Sequence, residues 1–314
     1  MREGSGSPFS EAGSLLPRWL CDQVDVLAGH PLEVSELAGG LTNRNYKVTT
    51  PEGSYVVRRS AQGTGALAID RDHEYRNSMV AAATGVGAPV VAYLPEAATL
   101  VIGFLDGRSL TDDDFSRPGI IERVAASCRQ LHGGDRFVND FDMFDIRDGY
   151  LRTVLEGGYR LPPDYLDFEP QMERIRGALA VRAEPTVACN NDLLAGNFID
   201  DGTRIWLIDY EYAGNNDACF ELGNIGSECH LSEEELERLV TAYYGSRLAN
   251  KISRARLQAV MSQYGWTLWA SIQQATSDID FDFWTWGMEK YERARQTFRG
   301  PGLDRLIEDV QRND

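Results

Sequence analysis

The chain is sparse in cysteine, histidine and positive charge, and each shortage excludes something. Cys21, Cys128, Cys189, Cys219 and Cys229 are scattered, with no close pair and no metal-ligand spacing. An odd, dispersed set argues against a disulfide framework and for reduced thiols, so a cytoplasmic location is expected. His30, His73, His132 and His230 also lack metal-ligand spacing and read as structural or surface residues. There are 31 Lys and Arg against 48 Asp and Glu, a net charge of −17. That balance excludes a nucleic-acid partner, which needs a basic footprint, and is compatible with a small cationic one. No apolar run reaches membrane-spanning length, so no membrane partner is expected. The start, MREGSGSPFSEAG, has no apolar signal core, and residues 1–15 are expected to be loosely attached. No internal repeat is visible, and the sequence fits either a monomer or a homodimer.

What is present is an ordinary globular composition, 43% apolar and 25% charged over 314 residues, enough for two lobes. The first hundred residues read as short strands. LEVSELAGGLTNRNYKVTT gives β-like runs on either side of Gly39-Gly40, Pro51-Glu52-Gly53 a turn, and YVVRRS the next strand. IDRDHEYRNSMVAAAT is helical in pattern, and GVGAPVVAYLPEAATLVIGFL gives two more strands split by Pro-Glu. From about Ser109 helices dominate, over Ile120–His132, within Asp164–Arg182, and over Glu233–Ser246 and Ala255–Ala275. The expected fold is α+β and bilobal. A small antiparallel β-rich lobe spans 1–102, a large helical lobe spans 103–314, and a nucleotide-sized cleft lies between them.

The most informative stretch is VACNNDLLAGNFIDDGTRIWLIDYE, Val187 to Glu211. NFIDDG and TRIWLIDY read as a hairpin around Asp201-Gly202. Asp192, Asn197 and Asp209 then fall at the spacing of a kinase-type phosphoryl-transfer site. Such a reaction makes little covalent demand on the protein and rests on positioning and charge stabilisation. A carboxylate at Asp192 orients a hydroxyl and takes its proton. Asn197 and Asp209 supply the hard oxygens that Mg2+ prefers. The bland alternative is that Asp192 and Asn197 cap turns and Asp209 ends a strand.

In the small lobe, Gly39, Gly40, Leu41, Thr42 and Asn43 can form a phosphate-facing turn, although two glycines alone suit a plain hairpin loop equally well. Arg58 is placed to bind phosphate oxygens, with Arg59 on the opposite face of the strand. Glu74, on the following helix, is a candidate partner for Arg58.

At this point the sequence resembles the choline/ethanolamine kinase family, within the wider aminoglycoside-phosphotransferase and protein-kinase-like fold. The resemblance runs through ELAGGLTNRNYKV, YVVRRS, CNNDLLAGNF, LIDYEYAGNNDACFELGNIGSE and WTLWASIQQATSDIDFDFW, roughly residues 35–295. It implies an ATP- and Mg2+-dependent kinase acting on the hydroxyl of a small cationic amino alcohol, choline first. Ethanolamine, an aminoglycoside or another amino-bearing metabolite is the alternative acceptor. A non-catalytic nucleotide-binding or ligand-sensing relative is the alternative of another class. By resemblance Asp192 is the catalytic base, Asn197 and Asp209 are the metal ligands, and Arg58 and Glu74 are the phosphate-binding pair. Leu100 to Leu105, with Gly103 and Phe104, is the segment that meets adenine.

The resemblance also implies an acceptor pocket in which Glu211 and Tyr212 follow the metal aspartate. Glu228 is the acid near the substrate cation, and Trp266, Trp269, Phe283 and Trp286 are its aromatic walls. A quaternary ammonium has no N–H to donate, so aromatic faces and a carboxylate are what can select it. The other reading of Trp266 and Trp269, three apart on a helix, is core packing. Alternation through FDFWTW sets Phe281 and Phe283 on one side and Trp284 opposite. Three departures stand out. Asn190 occupies the position where such families carry His, two residues before the base, Phe283 and Trp286 replace what are often tyrosines, which removes hydroxyls and keeps π faces, and Glu221 stands where Asp is common.

Overall fold

The computed structural model describes residues 15–37, 40, 42–60 and 67–313, so Gly39 and Leu41 of the glycine turn lie outside the described residues. The chain divides into two compact units, 1–62 with 89–104, and 63–88 with 105–314.

In the first unit, the helical turn α1 (Arg18–Cys21) precedes β1 (Glu33–Leu37), β2 (Asn43–Thr50), β3 (Gly53–Ser60), β4 (Val90–Leu94) and β5 (Thr99–Gly103). The strands form an antiparallel sheet in the order β1-β2-β3-β5-β4. The expected Pro51-Glu52 turn closes β2 on β3, with the Thr50 hydroxyl donating to the Gly53 carbonyl and accepting the Glu52 N–H. Alternate residues Tyr46, Val48, Val57 and Val101 pack with Leu20, Val24 and Leu27 as that unit's core.

The second unit contains α2 (Arg71–Thr84), β6 (Arg108–Ser109), α3 (Ile120–His132), α4 (Met143–Gly157), α5 (Glu169–Val181), β7 (Thr186–Cys189), β8 (Phe198–Asp200), β9 (Ile205–Leu207) and β10 (Gly214–Asp217). The helices α6 (Ala218–Glu228), α7 (Glu233–Tyr244), α8 (Ala249–Thr276), α9 (Phe283–Arg299) and α10 (Leu303–Val310) follow. The expected hairpin is present as β8 and β9. Asp201 Oδ1 accepts the backbone N–H groups of Thr203 and Arg204 at 2.8 Å each, and Gly202 takes the left-handed conformation.

The division differs from the single boundary expected after residue 102, because α2 groups with the helical unit. Asp70 caps α2 by accepting from Asp72 and His73 N–H, and Gly85 ends it in the left-handed conformation. Its buried Asn77 donates to Asn139 Oδ1 at 2.8 Å and to the Ala213 carbonyl at 2.9 Å, and accepts the Val138 N–H. These bonds attach the helix to the unit that carries β10. Composition along the chain gives no sign of this allegiance.

The core of the second unit joins α3, β8, β9, α6, α7 and α8 through Val124, Cys128, Phe198, Leu207, Leu222, Leu239 and Ile252. Helices α6 and α8 are buried on nearly every side, their polar residues such as Glu221, Asn224, Arg254 and Gln258 included. Gly223 permits their close approach: a Cβ there would stand 2.3 Å from the Ala255 carbonyl oxygen. That contact sets the end of α6, and with it Glu228, against α8 and α9.

Candidate active site

The loop from Cys189 to Asn197 is held by its own amides. Asn190 is fully buried. Its Nδ2 donates to the carbonyls of Ile208 at 3.1 Å and Asp209 at 2.8 Å, and its Oδ1 accepts the Asp192 N–H at 3.1 Å. Asn191 Nδ2 donates to the carbonyls of Cys189, Tyr212 and Gly214, while its Oδ1 accepts from Asn216. Asn191 and Asp209 both have positive φ, +69° and +67°, a conformation tolerated where the surroundings over-determine it. The departure at position 190 thus keeps a supporting role, since a carboxamide supplies donors and an acceptor at once.

Glu221 is a positioning residue that the sequence marked only as a departure. Its two oxygens accept the backbone N–H groups of Asn190 at 3.0 Å and Asn191 at 2.6 Å. His132 Nε2 lies 3.3 Å from the same carboxylate, and Nδ1 lies 2.7 Å from the Tyr243 hydroxyl. The imidazole thus bridges the Tyr243 hydroxyl and the Glu221 carboxylate through its two ring nitrogens. His132, Cys189 and Glu221 come close enough to share a metal ion, a juxtaposition the spacing of cysteines and histidines conceals. Burial holds the Cys189 thiol protonated, and the Glu221 oxygens are committed to backbone N–H groups. The trio is a hydrogen-bonded support.

Asp192 is partly exposed. Its carboxyl is driven well above the ordinary range, first by loss of water, then by the negative charges of Asp209, Glu228 and Glu211, with Lys290 opposing. Asn197 donates its side-chain N–H to the Asp192 carbonyl at 2.8 Å, which commits the amide nitrogen to the loop and leaves Oδ1 as the atom suited to a cation. A carboxamide oxygen and crowded carboxylates are the donor set Mg2+ takes, so the residues fit the ion the sequence implies.

Glu74 and Glu211, both buried, share Arg71, whose Nη1 lies 2.6 Å from one carboxylate and 3.0 Å from the other. The sequence reading singled out Arg58 for Glu74 and did not consider Arg71, which Glu74 meets within its own unit. Arg58 is buried on β3 of the first unit, opposite Asn45 and Leu100. Also in that unit, Gly40 has φ +104°, where a side chain is disfavoured, and Asn43 donates to the Thr42 hydroxyl. Gly103 N–H bonds the Pro89 carbonyl, and the Phe104 ring lies under the Lys47 ammonium.

The aromatic residues do assemble. Trp269 meets Phe283 at 5.7 Å and Trp286 at 5.5 Å between centroids, and its Nε1–H donates to the Tyr212 hydroxyl at 2.7 Å. Trp266 packs edge-on against Tyr212 and donates to Asn224 Oδ1. Trp266 and Phe283 are only 3% and 1% exposed, which is the core-packing geometry. Phe283 opens a helix, capped by Asp282, so the strand period expected through FDFWTW fails, while Phe281 and Phe283 do lie together, 4.9 Å between ring centroids. At helical spacing Phe283, Trp286 and Lys290 share a face. Glu228 is not open to a substrate cation as it stands: its Oε2 is ion-paired with Lys290, whose Nζ sits 3.9 Å from the Trp286 ring centroid. Tyr212 and Glu211 also line a separate cavity of about 350 Å3 with Asp70, His73 and Asp140.

A family model described as the phosphotransferase enzyme family matches residues 33–258. The chain belongs to that family. It is 26% identical over 298 residues to a probable ethanolamine kinase of Arabidopsis thaliana, covering 84% of this chain and 79% of that protein. The crystal structure of a choline/ethanolamine kinase family protein from Mesorhizobium loti matches with a TM-score of 0.83 at 29% identity, over 94% of this chain and 97% of the other. The choline kinase LicA from Streptococcus pneumoniae shares the fold at 22% identity, with a TM-score of 0.74 over 91% and 98% of the two chains. A LicA structure has also been solved in complex with AMP. The resemblance and the α+β protein-kinase-like fold expected from sequence are borne out, and the chain is a phosphotransferase with an alcohol group as acceptor. Among the described residues no helix is long and apolar enough to cross a membrane.

Proposed function

We propose that this phosphotransferase moves the γ-phosphoryl group of ATP to the hydroxyl of a small cationic amino alcohol, choline or ethanolamine. One observation carries the reading: Asn190 ties the Asp192 N–H to the Asp209 carbonyl and Asn197 bonds the Asp192 carbonyl, which gathers the three residues where the charges of Asp209, Glu228 and Glu211 raise the Asp192 carboxyl. Such crowding is relieved by positive charge, and a metal-bound nucleotide and a cationic acceptor both bring it. Asp192 orients the hydroxyl and accepts its proton. Asn197 and Asp209 would hold Mg2+, which when bound neutralises the phosphate oxygens of the nucleotide. Arg58, with the backbone of Gly40, Thr42 and Asn43, would bind phosphate oxygens. Gly103 and Phe104 meet the adenine, and Glu74 keeps its supporting place through Arg71. Glu211 and Tyr212 border the acceptor.

The test is ATP consumption and phosphate-ester formation over a panel of amino alcohols and aminoglycosides, with Mg2+ present and then chelated. A phosphorylated amino alcohol that disappears with chelator is the expected result. Turnover confined to aminoglycosides would move the acceptor, and nucleotide binding with no turnover on any alcohol would defeat the reading.

A further inference from the structure

The ammonium that occupies the ring cluster belongs to the protein. Lys290 lies one helical turn beyond Trp286 and two beyond Phe283 on α9, so the three side chains emerge from one face. Its Nζ pairs with Glu228 Oε2 and sits 3.9 Å from the centroid of the Trp286 ring. Lysine is almost never buried without a partner, yet Lys290 is 4% exposed and Glu228 5%. Trp269, edge-on to Trp286 and bonded to Tyr212, completes the surround. The carboxylate and the ring face that could receive a substrate's cation are therefore engaged by an internal one.

We propose that Lys290 selects the acceptor: it fills the cation seat formed by Glu228 and Trp286, so the site accepts a primary amino alcohol and turns away a quaternary one. The inference rests on the amino-alcohol reading above and sharpens it. A trimethylammonium group has no hydrogen to donate and depends on ring faces and a carboxylate. To reach them it must expel Lys290, leaving a buried ammonium without its partner, a costly arrangement. A primary ammonium has three N–H donors. It can be held by hydrogen-bond acceptors near Asp192, with Lys290 left in place. A purely structural lysine, one that only fastens α9 to the end of α6, would affect both acceptors alike, so the ratio between them is the informative quantity.

The experiment compares kcat/KM for ethanolamine and choline in the wild-type chain, Lys290→Gln and Lys290→Met, with folding checked by circular dichroism. Wild type should favour ethanolamine by about tenfold or more, and each variant should raise the choline-to-ethanolamine ratio by about tenfold. A wild-type preference for choline, or a ratio unmoved in folded variants, overturns the proposal. If neither variant folds, the wild-type preference decides. If no amino alcohol is turned over, tetramethylammonium binding followed by tryptophan fluorescence separates the two claims. About tenfold tighter binding to Lys290→Gln than to wild type upholds the occupied seat, and equal binding sinks it.

Discussion

The side chain of Asn190 donates to the carbonyl oxygen of Asp209 at 2.8 Å while its own oxygen accepts the backbone N–H of Asp192 at 3.1 Å. One buried carboxamide thereby fixes the spacing of the proposed base and the proposed metal ligand. Asn190→Ala leaves the Ile208 and Asp209 carbonyls and the Asp192 N–H short of a partner. The expected loss of stability is about 2–4 kcal/mol, below three times the roughly 1–3 kcal/mol of a fully buried stranded group because Asp192, Ile208 and Asp209 are each partly exposed. Urea midpoints with an unchanged slope measure it. Turnover should fall by about a hundredfold as the two loops slip relative to each other, and the Mg2+ concentration for half-activity should rise. Asn190→His, which retains a donor and an acceptor, should lose less on both counts.

Asp192→Asn should separate activity from stability. The native carboxyl is raised above its ordinary value by burial and then by Asp209, Glu228 and Glu211. A carboxyl whose folded pKa exceeds its unfolded one favours folding below the unfolded value, about 3.9, and loses that contribution as pH rises through the folded value. At neutral pH the ionised group therefore opposes folding. The asparagine variant should melt higher than wild type at pH 7.5, with the gap closing towards pH 4, while turnover drops by orders of magnitude and nucleotide binding persists. The acid limb of wild-type kcat/KM should lie above the ordinary carboxylate range. A variant that melts lower than wild type at pH 7.5 would contradict the charge crowding.

The sequence announced the loop and hid its supports. Asp192, Asn197 and Asp209 are near neighbours in the chain, and the β8–β9 hairpin that joins them is coded locally by Asp201 and Gly202. The strands of the first unit are equally legible, because alternation and turn chemistry are local signals. Arg71 and Glu221 were not, since their partners arrive from distant segments. Lys290 was hidden by a wrong period. The aromatic run FDFWTW has strand-like composition, and only the cap at Asp282, accepting from Thr285 N–H, reveals the helix that turns Lys290 onto Trp286.

Glu221→Ala removes the acceptor for two backbone N–H groups and the partner of the His132 ring. A cost of about 3–5 kcal/mol is expected, the range for breaking a buried charged network from one side. Glu221→Gln preserves the shape but turns an N–H towards one of the backbone donors, so it should cost less, about 1–3 kcal/mol. Both should lower kcat more than they raise the KM for ATP, because the carboxylate orders the Asp192 loop and touches neither reactant. Melting curves and steady-state kinetics on the two variants check the order. A Glu221→Gln variant as stable and as active as wild type would reduce Glu221 to a space-filling role.

Arg71 lies between Glu74 and Glu211, and removing it leaves two buried carboxylates side by side with their bridging cation gone. Arg71→Met should destabilise the chain by about 3–5 kcal/mol at pH 7.5. Adding Glu74→Gln to Arg71→Met removes one of the two charges that the guanidinium bridges and should recover part of the loss at pH 7.5, the non-additivity expected of groups that share a partner. A double variant no more stable than Arg71→Met would mean that the arginine acts through packing of its stem, and that the charge it carries between the two acids is incidental.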